Sequence, residues 1–333
     1  MNPHVTIIAE AGVNHNGDIN IAFKLIEVAA VSGADFIKFQ TFKTEKLVTA
    51  SAGKAAYQEI QTGSGGSQFG MLKKLELDEN AHILLMEHAR KHGIRMISTP
   101  FDEESAEMLN RLQVELFKVG SGDLTNILLL RQLAKFRKPV ILSTGMADMA
   151  EIARALDILE KAGLNRQMVT LLHANTDYPT PYTDVNLRAM QTMEHEFGVR
   201  VGYSDHTDGI EVPVAAVALG ASVIEKHFTL DRTMAGPDHQ ASLEPAELHA
   251  MVKSIRNIEN ALGSSEKMPS QGEQRNMAAA RKSIVAACPI NKGERFTEQN
   301  LTVKRPGTGI SPFQWDDIIG TFATRNYLTD ELI

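Results

Sequence analysis

Arg200-Val201-Gly202-Tyr203-Ser204-Asp205-His206-Thr207 and, further along, Ser222-Val223-Ile224-Glu225-Lys226-His227-Phe228-Thr229 are built alike: a short apolar run closes on polar residues and a histidine. The runs themselves, Arg200–Tyr203 and Ser222–Ile224, are the last two of eight, after Val5–Ala9, Phe36–Phe39, Arg95–Ser98, Leu116–Val119, Val140–Leu142 and Val169–Leu172. Between them lie segments of helical period such as Ile19–Ser32, Ala81–His92, Glu103–Leu112, Glu151–Ala162, Val185–Phe197 and Val212–Leu219, and Pro245–Leu262 closes the series. Alternating strand and helix units predict an α/β fold with a parallel sheet, and eight of them predict a (β/α)8 TIM barrel. The rival is a doubly wound open sheet. That fold usually carries a glycine-rich turn after its first strand, and Gly12-Val13-Asn14-His15-Asn16-Gly17 does not fit Gly-x-Gly-x-x-Gly.

In such a barrel the seventh and eighth strands are neighbours, and their C-terminal ends project into the mouth. His206 and His227 then become a pair. A lone histidine at a strand end is usually packed or hydrogen-bonded. Two on adjacent strands make a candidate metal site, since neutral imidazole is the commonest protein ligand for metal ions.

The 333 residues are 43% hydrophobic and 23% charged, a globular composition long enough for one large domain and a small one. A net charge of −7 with no basic cluster argues against nucleic acid or an anionic membrane as partner, so an anionic substrate would need local Lys or Arg. The single cysteine, Cys288, excludes an internal disulfide and a Cys-type zinc site, fits a reducing compartment, and is expected to be a buried small apolar residue. The chain opens directly on Val5–Ala9 and no stretch reaches the ~18 apolar residues of a membrane span, so the cytoplasm is the expected location.

Two stretches interrupt the rhythm. Lys43–Gly70, rich in Gly, Ser, Ala and Lys, is too long for a routine loop and is expected to be a functional lid or insertion. Gly263–Asn276, with Ser264, Ser265, Pro269, Ser270 and Gly272, reads as a linker. The boundaries expected are a barrel over 1–262, a linker over 263–281 and a small, mostly β domain over 282–333, with strands Ser283–Ala286 and Leu301–Lys304 and a turn at Lys292-Gly293-Glu294.

Polar residues cluster where each barrel strand finishes: Glu10, Lys38 and Gln40, Thr99, Lys118 with Ser121 and Asp123, Ser143 and Thr144, His173, Ser204 and Glu225. Any one of them could be a solvated loop residue or a helix cap. Their convergence on one face calls for a site. Lysine is rarely buried without a partner, so Lys38 and Lys118, set in apolar runs, are expected to meet an anion. Hydroxyls and the backbone of Gly120-Ser121-Gly122 suit a phosphate, a carboxylate or both. A lysine in a barrel also raises a Schiff-base aldolase as an alternative.

The blocks Ile8–Gly17, Phe36–Thr41, Ser98–Phe101, Lys118–Asp123, Leu142–Met146, Tyr203–Thr207 and Glu225–Thr229 resemble, in order and over nearly the whole chain, the sialic acid (nonulosonic acid) synthases. Val303-Lys304-Arg305-Pro306-Gly307 is similar to their antifreeze-like (SAF) domain. The resemblance implies condensation of phosphoenolpyruvate with an N-acylated amino-hexose to a nine-carbon 2-keto sugar acid and phosphate. Carried over by position, it implies that Lys38, Lys118, Thr99, Ser121, Ser143 and Ser204 hold phosphoenolpyruvate, and that His206 and His227 hold a divalent ion, Mn2+ or Mg2+. It places Asp123 near the reacting centre, Gln40, Tyr178 and Asp238 on the sugar side, and Arg305 as an arm from the other subunit of a domain-swapped homodimer. Thr176 stands where some family members have Asn, and the pattern Asn175-Thr176-Asp177-Tyr178-Pro179, with the segment Lys54–Leu77, looks more like the bacterial legionaminic acid synthases, which take a 2,4-diacetamido-trideoxy-mannose; N-acetylmannosamine is the alternative sugar. Either Asp123 or Glu10 could orient or deprotonate the attacking water. An ice-binding or carbohydrate-binding module is the other class of function that the C-terminal part raises.

Overall fold

Eight parallel strands follow one another with a helix after each: β1 (Thr6–Gly12), β2 (Phe36–Thr41), β3 (Arg95–Pro100), β4 (Phe117–Val119), β5 (Val140–Ser143), β6 (Val169–Ala174), β7 (Arg200–Asp205) and β8 (Val223–His227). Their order, β3-β2-β1-β8-β7-β6-β5-β4, with β3 and β4 lying against each other, makes the near-closed barrel of the (β/α)8 class. This computed structural model describes residues 4–54, 58–59, 61 and 65–333, and the chain falls into two compact units, Met1–Gly263 and Ser264–Ile333.

The strands run two or three residues past most of the apolar stretches that signal them, because ladder pairing continues after hydrophobicity stops. Parity explains what this does. Ile8, Phe36, Ile97, Ile141, Leu172 and Val223 form a buried cluster with Leu116 against it, a layer inside the barrel. Successive side chains alternate faces, so two residues further on, Glu10, Lys38, Thr99, Lys118, Ser143 and Glu225 share the inward face. An apolar floor thus gives way to a polar ring at the C-terminal ends.

Outside, the helices pack on the barrel through a second, larger core. Helices Ile19–Ser32 and Pro245–Leu262 coincide with the periodic segments, and Ile127–Lys135 supplies the helix between β4 and β5 that the sequence reading left unnamed. Asp18, Asp78, Asp102, Asn126 and Asp148 each cap a helix N-terminus, the side chain accepting from a backbone N–H; such caps satisfy orphan donors and fix where the loops at the mouth end.

The long excursion after β2 has structure of its own: helices Thr44–Leu47 and Gln68–Lys73 share a small core in which Val13, Phe42, Leu72 and Leu75 are buried and Leu47, Val48, Met71 and Phe101 pack against them. Parts of the expected insertion, residues 55–57, 60 and 62–64, lie outside the described residues.

In the second unit β9 (Ser283–Ala286) pairs antiparallel with β10 (Leu301–Lys304) over a core of Ile284, Ala286, Ile290, Phe296, Leu301, Ala323 and Tyr327. Two expectations are corrected here. The stretch read as a linker holds a helix, Gln271–Ala280, started by a capping box of Ser270 and Glu273; Ser270 and Gly272 belong to the helix entry while residues 263–269 stay outside any helix, and none of the helix's side chains is buried. Cys288 is exposed, not buried, because it lies beyond the end of β9, where the chain leaves the core before Pro289.

Candidate active site

The polar ring closes one end of a cavity of about 370 Å³ lined from the barrel mouth. Four of its charged side chains, Glu10, Lys38, Lys118 and Glu225, are buried. Lys38 Nζ lies 2.7 Å from Glu10 Oε2 and 3.8 Å from Glu225 Oε2 and donates to Thr99 Oγ1 at 3.0 Å. Lys118 Nζ lies 3.3 Å from Glu225 Oε1 and donates to Ser143 Oγ at 2.7 Å, while Ser204 Oγ donates to Glu225 Oε1 at 3.0 Å. The expectation that both lysines await an anion is therefore refined: each already has a carboxylate. Burial raises the Glu10 carboxyl to about 7 against the pull of Lys38. Burial also pulls the Lys118 ammonium below its ordinary range, whereas the neighbouring carboxylates leave Lys38 above it.

His227 ends β8 and His206 follows β7, their ring centroids 5.4 Å apart. Burial pushes His206 down to about 4 and His227 well below its ordinary value, so both rings are neutral, the form that binds metal. His206 Nδ1 donates to the Asn175 carbonyl, which orients the ring and leaves Nε2 as its acceptor. His227 Nδ1 is buried with no hydrogen-bond partner among the described residues. Two oriented imidazoles, each with an unused nitrogen, fit a divalent ion, and the carbonyl behind His206 is the kind of outer partner that metal-binding histidines use. Glu27, His88 and His92 also bring donor atoms within 4.8 Å of one another, but on the outer helices, and none of them lines the cavity.

The Tyr178 ring lies beside His206, tilted by 35°, at 4.1 Å between centroids. Gln40, Ser121, Tyr178 and Asp238 all line the same cavity, and burial raises Asp238 to about 6. Ser121 Oγ accepts from Gly145 N at 3.0 Å; a Cβ on Gly145 would sit 2.8 Å from that oxygen and 2.9 Å from Thr176 Cγ2, so only glycine lets these two loops meet. Of the strand-end residues singled out from sequence, Thr144 and His173 do not line the cavity and bond instead to the backbone of Leu172 and Val185; of the residues given a role, two stand apart. Asp123 does not line the cavity; it sits in a 3-10 turn after β4, where Asn126 Nδ2 donates to it at 3.0 Å, and burial raises its carboxyl. Arg305 is exposed on the second unit.

Glu225 stands at a strand end without a role assigned from sequence; its parity with Val223 is the signal that turns it inward. Asp205 and Lys226 have no such role either. They pair, fully buried, on the outward face of β7 and β8, and Lys226 Nζ also donates to Thr207 O at 2.7 Å. Leu47, Val48, Gln68, Met71 and Phe101 also face the cavity, and no polar motif marked them.

A barrel that gathers ionisable side chains, neutral imidazoles and hydroxyls at the C-terminal ends of its strands is an enzyme of the (β/α)8 class. Residues 25–267 match the NeuB family and residues 281–333 the SAF domain, and the chain belongs to the NeuB family. It is 54% identical over 327 residues to the N,N'-diacetyllegionaminic acid synthase of Campylobacter jejuni, covering 98% of each chain. To the enzyme of that name from Legionella pneumophila it is 47% identical, over 96% of this chain and 90% of the other. Among solved structures, the N-acetylneuraminic acid synthetase of Leptospira borgpetersenii superposes with a TM-score of 0.72 at 38% identity, over 83% of this chain and 90% of that one.

Proposed function

We propose that the chain condenses phosphoenolpyruvate with 2,4-diacetamido-2,4,6-trideoxymannose and water to give a nine-carbon 2-keto sugar acid of the legionaminic type and phosphate. The observation that carries the reading is the buried ring of two lysines and two glutamates beside two neutral histidines, in a chain about half identical to synthases of that product. In the reaction C3 of phosphoenolpyruvate bonds to the sugar aldehyde carbon and water adds at C2. Phosphate then leaves with its bridging oxygen; of the water's protons one ends on the new hydroxyl and one on phosphate.

Lys38 and Lys118, with Thr99, Ser121, Ser143 and Ser204, hold the phosphate and carboxylate, a role that strengthens as water is excluded. Glu10 orients the attacking water and takes its proton; its place in the cavity favours it over Asp123, which stands outside the lining. Gln40, Tyr178 and Asp238 meet the sugar. His206 and His227 would hold Mn2+ or Mg2+, which when bound supplies Lewis-acid polarisation of the aldehyde. Arg305 is proposed to reach the sugar from the partner chain of a domain-swapped homodimer; its exposure supports an outward-reaching role, and mixed dimers of His206→Ala and Arg305→Ala subunits should regain part of the activity. The proposal places the enzyme in the cytoplasm, where its substrates would be made and a lone cysteine stays reduced.

Phosphate release measured with phosphoenolpyruvate and either this sugar or N-acetylmannosamine tests the reading. Turnover of the doubly acylated sugar is expected to dominate. Preference for N-acetylmannosamine would make the chain an N-acetylneuraminate synthase, and a borohydride-trapped lysine adduct would make it a Schiff-base aldolase.

A further inference from the structure

The cavity has two unlike sides. Its floor is the charged ring, but the wall raised by the excursion after β2 is apolar. Phe42 and Leu75 lie behind that wall; Val13 and Leu72 are buried but reach the cavity, and Leu47, Val48, Met71 and Phe101, only half-buried, line it as well. Gln68, on the helix that carries Met71, lines it too. This is a largely apolar surface with two carboxamides, Gln58 and Gln68, of which Gln68 Nε2 donates to Gln58 Oε1 at 3.3 Å, held from behind by its own small core.

Ring order fixes what the wall faces. Strands four apart in an eight-membered barrel stand opposite each other, so β3, which leads into Phe101, stands across the mouth from β7, which leads into His206. A sugar whose C1 aldehyde is held at the His206 and His227 side extends across the mouth, and its C4 to C6 end arrives at the wall. The relatives' product is N,N'-diacetyl, one acetyl more than N-acetylneuraminate, and the trideoxy sugar has a methyl at C6 in place of a hydroxymethyl. Both differences place carbon without a hydroxyl where this wall stands.

We infer that Leu47, Val48, Met71 and Phe101 form a subsite for the C4 acetamido methyl and the C6 methyl of the sugar, with the Gln68 carboxamide, both donor and acceptor, facing the amide of that acetamido group. The inference rests on the proposed condensation and adds which residues select the sugar. An apolar pocket discriminates a single methyl by about tenfold or more.

The test uses the full-length protein and the phosphate-release assay. Val48→Thr, nearly isosteric and so expected to fold, and Met71→Gln each make the wall polar. Each should raise KM for 2,4-diacetamido-2,4,6-trideoxymannose about tenfold more than KM for phosphoenolpyruvate, and should narrow the preference over N-acetylmannosamine. Met71→Leu, which keeps the surface apolar, should lose far less than Met71→Gln. Equal rises for both substrates, or no rise for the doubly acylated sugar, would overturn the subsite. Wild-type turnover of N-acetylmannosamine alone would overturn it while leaving the synthase standing; turnover of neither sugar would remove the proposed function and the subsite together.

Discussion

Lys38 and Glu10 are register partners on adjacent strands, and their buried side chains meet at 2.7 Å. The ammonium groups that the proposed reaction assigns to an anionic substrate thus already have the barrel's own carboxylates as partners. Such pairing lets the lysines stay buried just above the apolar layer without a bound anion, since an unpaired buried charge is costly. It also means that an arriving phosphate or carboxylate competes with Glu10 and Glu225 for the same ammonium groups.

Removing either lysine should therefore affect phosphoenolpyruvate first. Lys38→Ala and Lys118→Ala each delete a charge-assisted contact worth roughly 1.5–3 kcal/mol, so the affinity for phosphoenolpyruvate should fall about tenfold to a hundredfold and that for the sugar far less. Lys38→Ala also strands Glu10, and the double variant Lys38→Ala with Glu10→Gln should recover stability without recovering affinity. Equal losses for both substrates, by titration calorimetry, would make the lysines structural.

Chelation should abolish turnover and added Mn2+ or Mg2+ should restore it. His206→Ala and His227→Ala should each cost at least about a hundredfold in kcat/KM, the upper end of what perturbing even an outer partner of a metal ligand costs, while keeping the wild-type circular dichroism spectrum. Undiminished turnover by a metal-free preparation would remove the ion from the account.

The barrel was legible because its signal is periodic: each strand is a short apolar run, and most helices a 3.6-residue pattern, several of them with a side-chain cap. Most strands run one to three residues past their apolar runs for the same reason, since Glu10, Ser143 and His227 pair in the ladder while looking like loop. Most of the site residues were legible as polar residues at those ends. What stayed hidden was partnership. Nothing in the spacing says that Glu225 sits between two lysines, or that Leu47 and Met71 turn toward the cavity from an excursion that composition alone presents as loop. Cys288 was misread because residue type gives a tendency to burial, and position beyond a strand end overrides it.

Acid should destabilise the protein. Burial holds His15 and His239 at about 4 in the folded chain, below the 6.5 of the exposed ring, and lowers His82 as well. The unfolded chain then binds more protons between pH 6.5 and 4, so stability is full above 6.5 and is lost as pH falls toward 4. Glu10 and Asp238, raised to about 7 and about 6, act in the opposite sense and offset most of the His15 and His239 contribution; the net loss comes from His82 together with His206 and His227, which burial also lowers. His15 alone contributes up to about 3 kcal/mol. Melting temperatures at pH 7 and pH 4.5 should differ by several degrees, and His15→Gln should shrink that difference; a flat profile would refute the assignment.

The last prediction concerns Asp205 and Lys226, the fully buried pair that joins β7 to β8 just outside the two histidines. Asp205 also accepts from Thr207 N and Thr207 Oγ1 at 3.1 Å, and Lys226 Nζ donates to Thr207 O at 2.7 Å, so the chain is tied on both sides of His206. Removing one partner leaves the other charge buried and alone, which costs about 3–5 kcal/mol. Asp205→Asn should lower the melting temperature by roughly 10 °C. Replacing both, Asp205→Asn with Lys226→Met, removes the stranded charge and should restore much of that stability. It does not restore the tie to Thr207 O. If the pair positions His206, the double variant should still bind Mn2+ roughly tenfold more weakly than wild type, the lower end of what losing an outer partner of a metal ligand costs, as measured by titration calorimetry. Wild-type metal affinity in a stable double variant would confine the pair to holding the strands together.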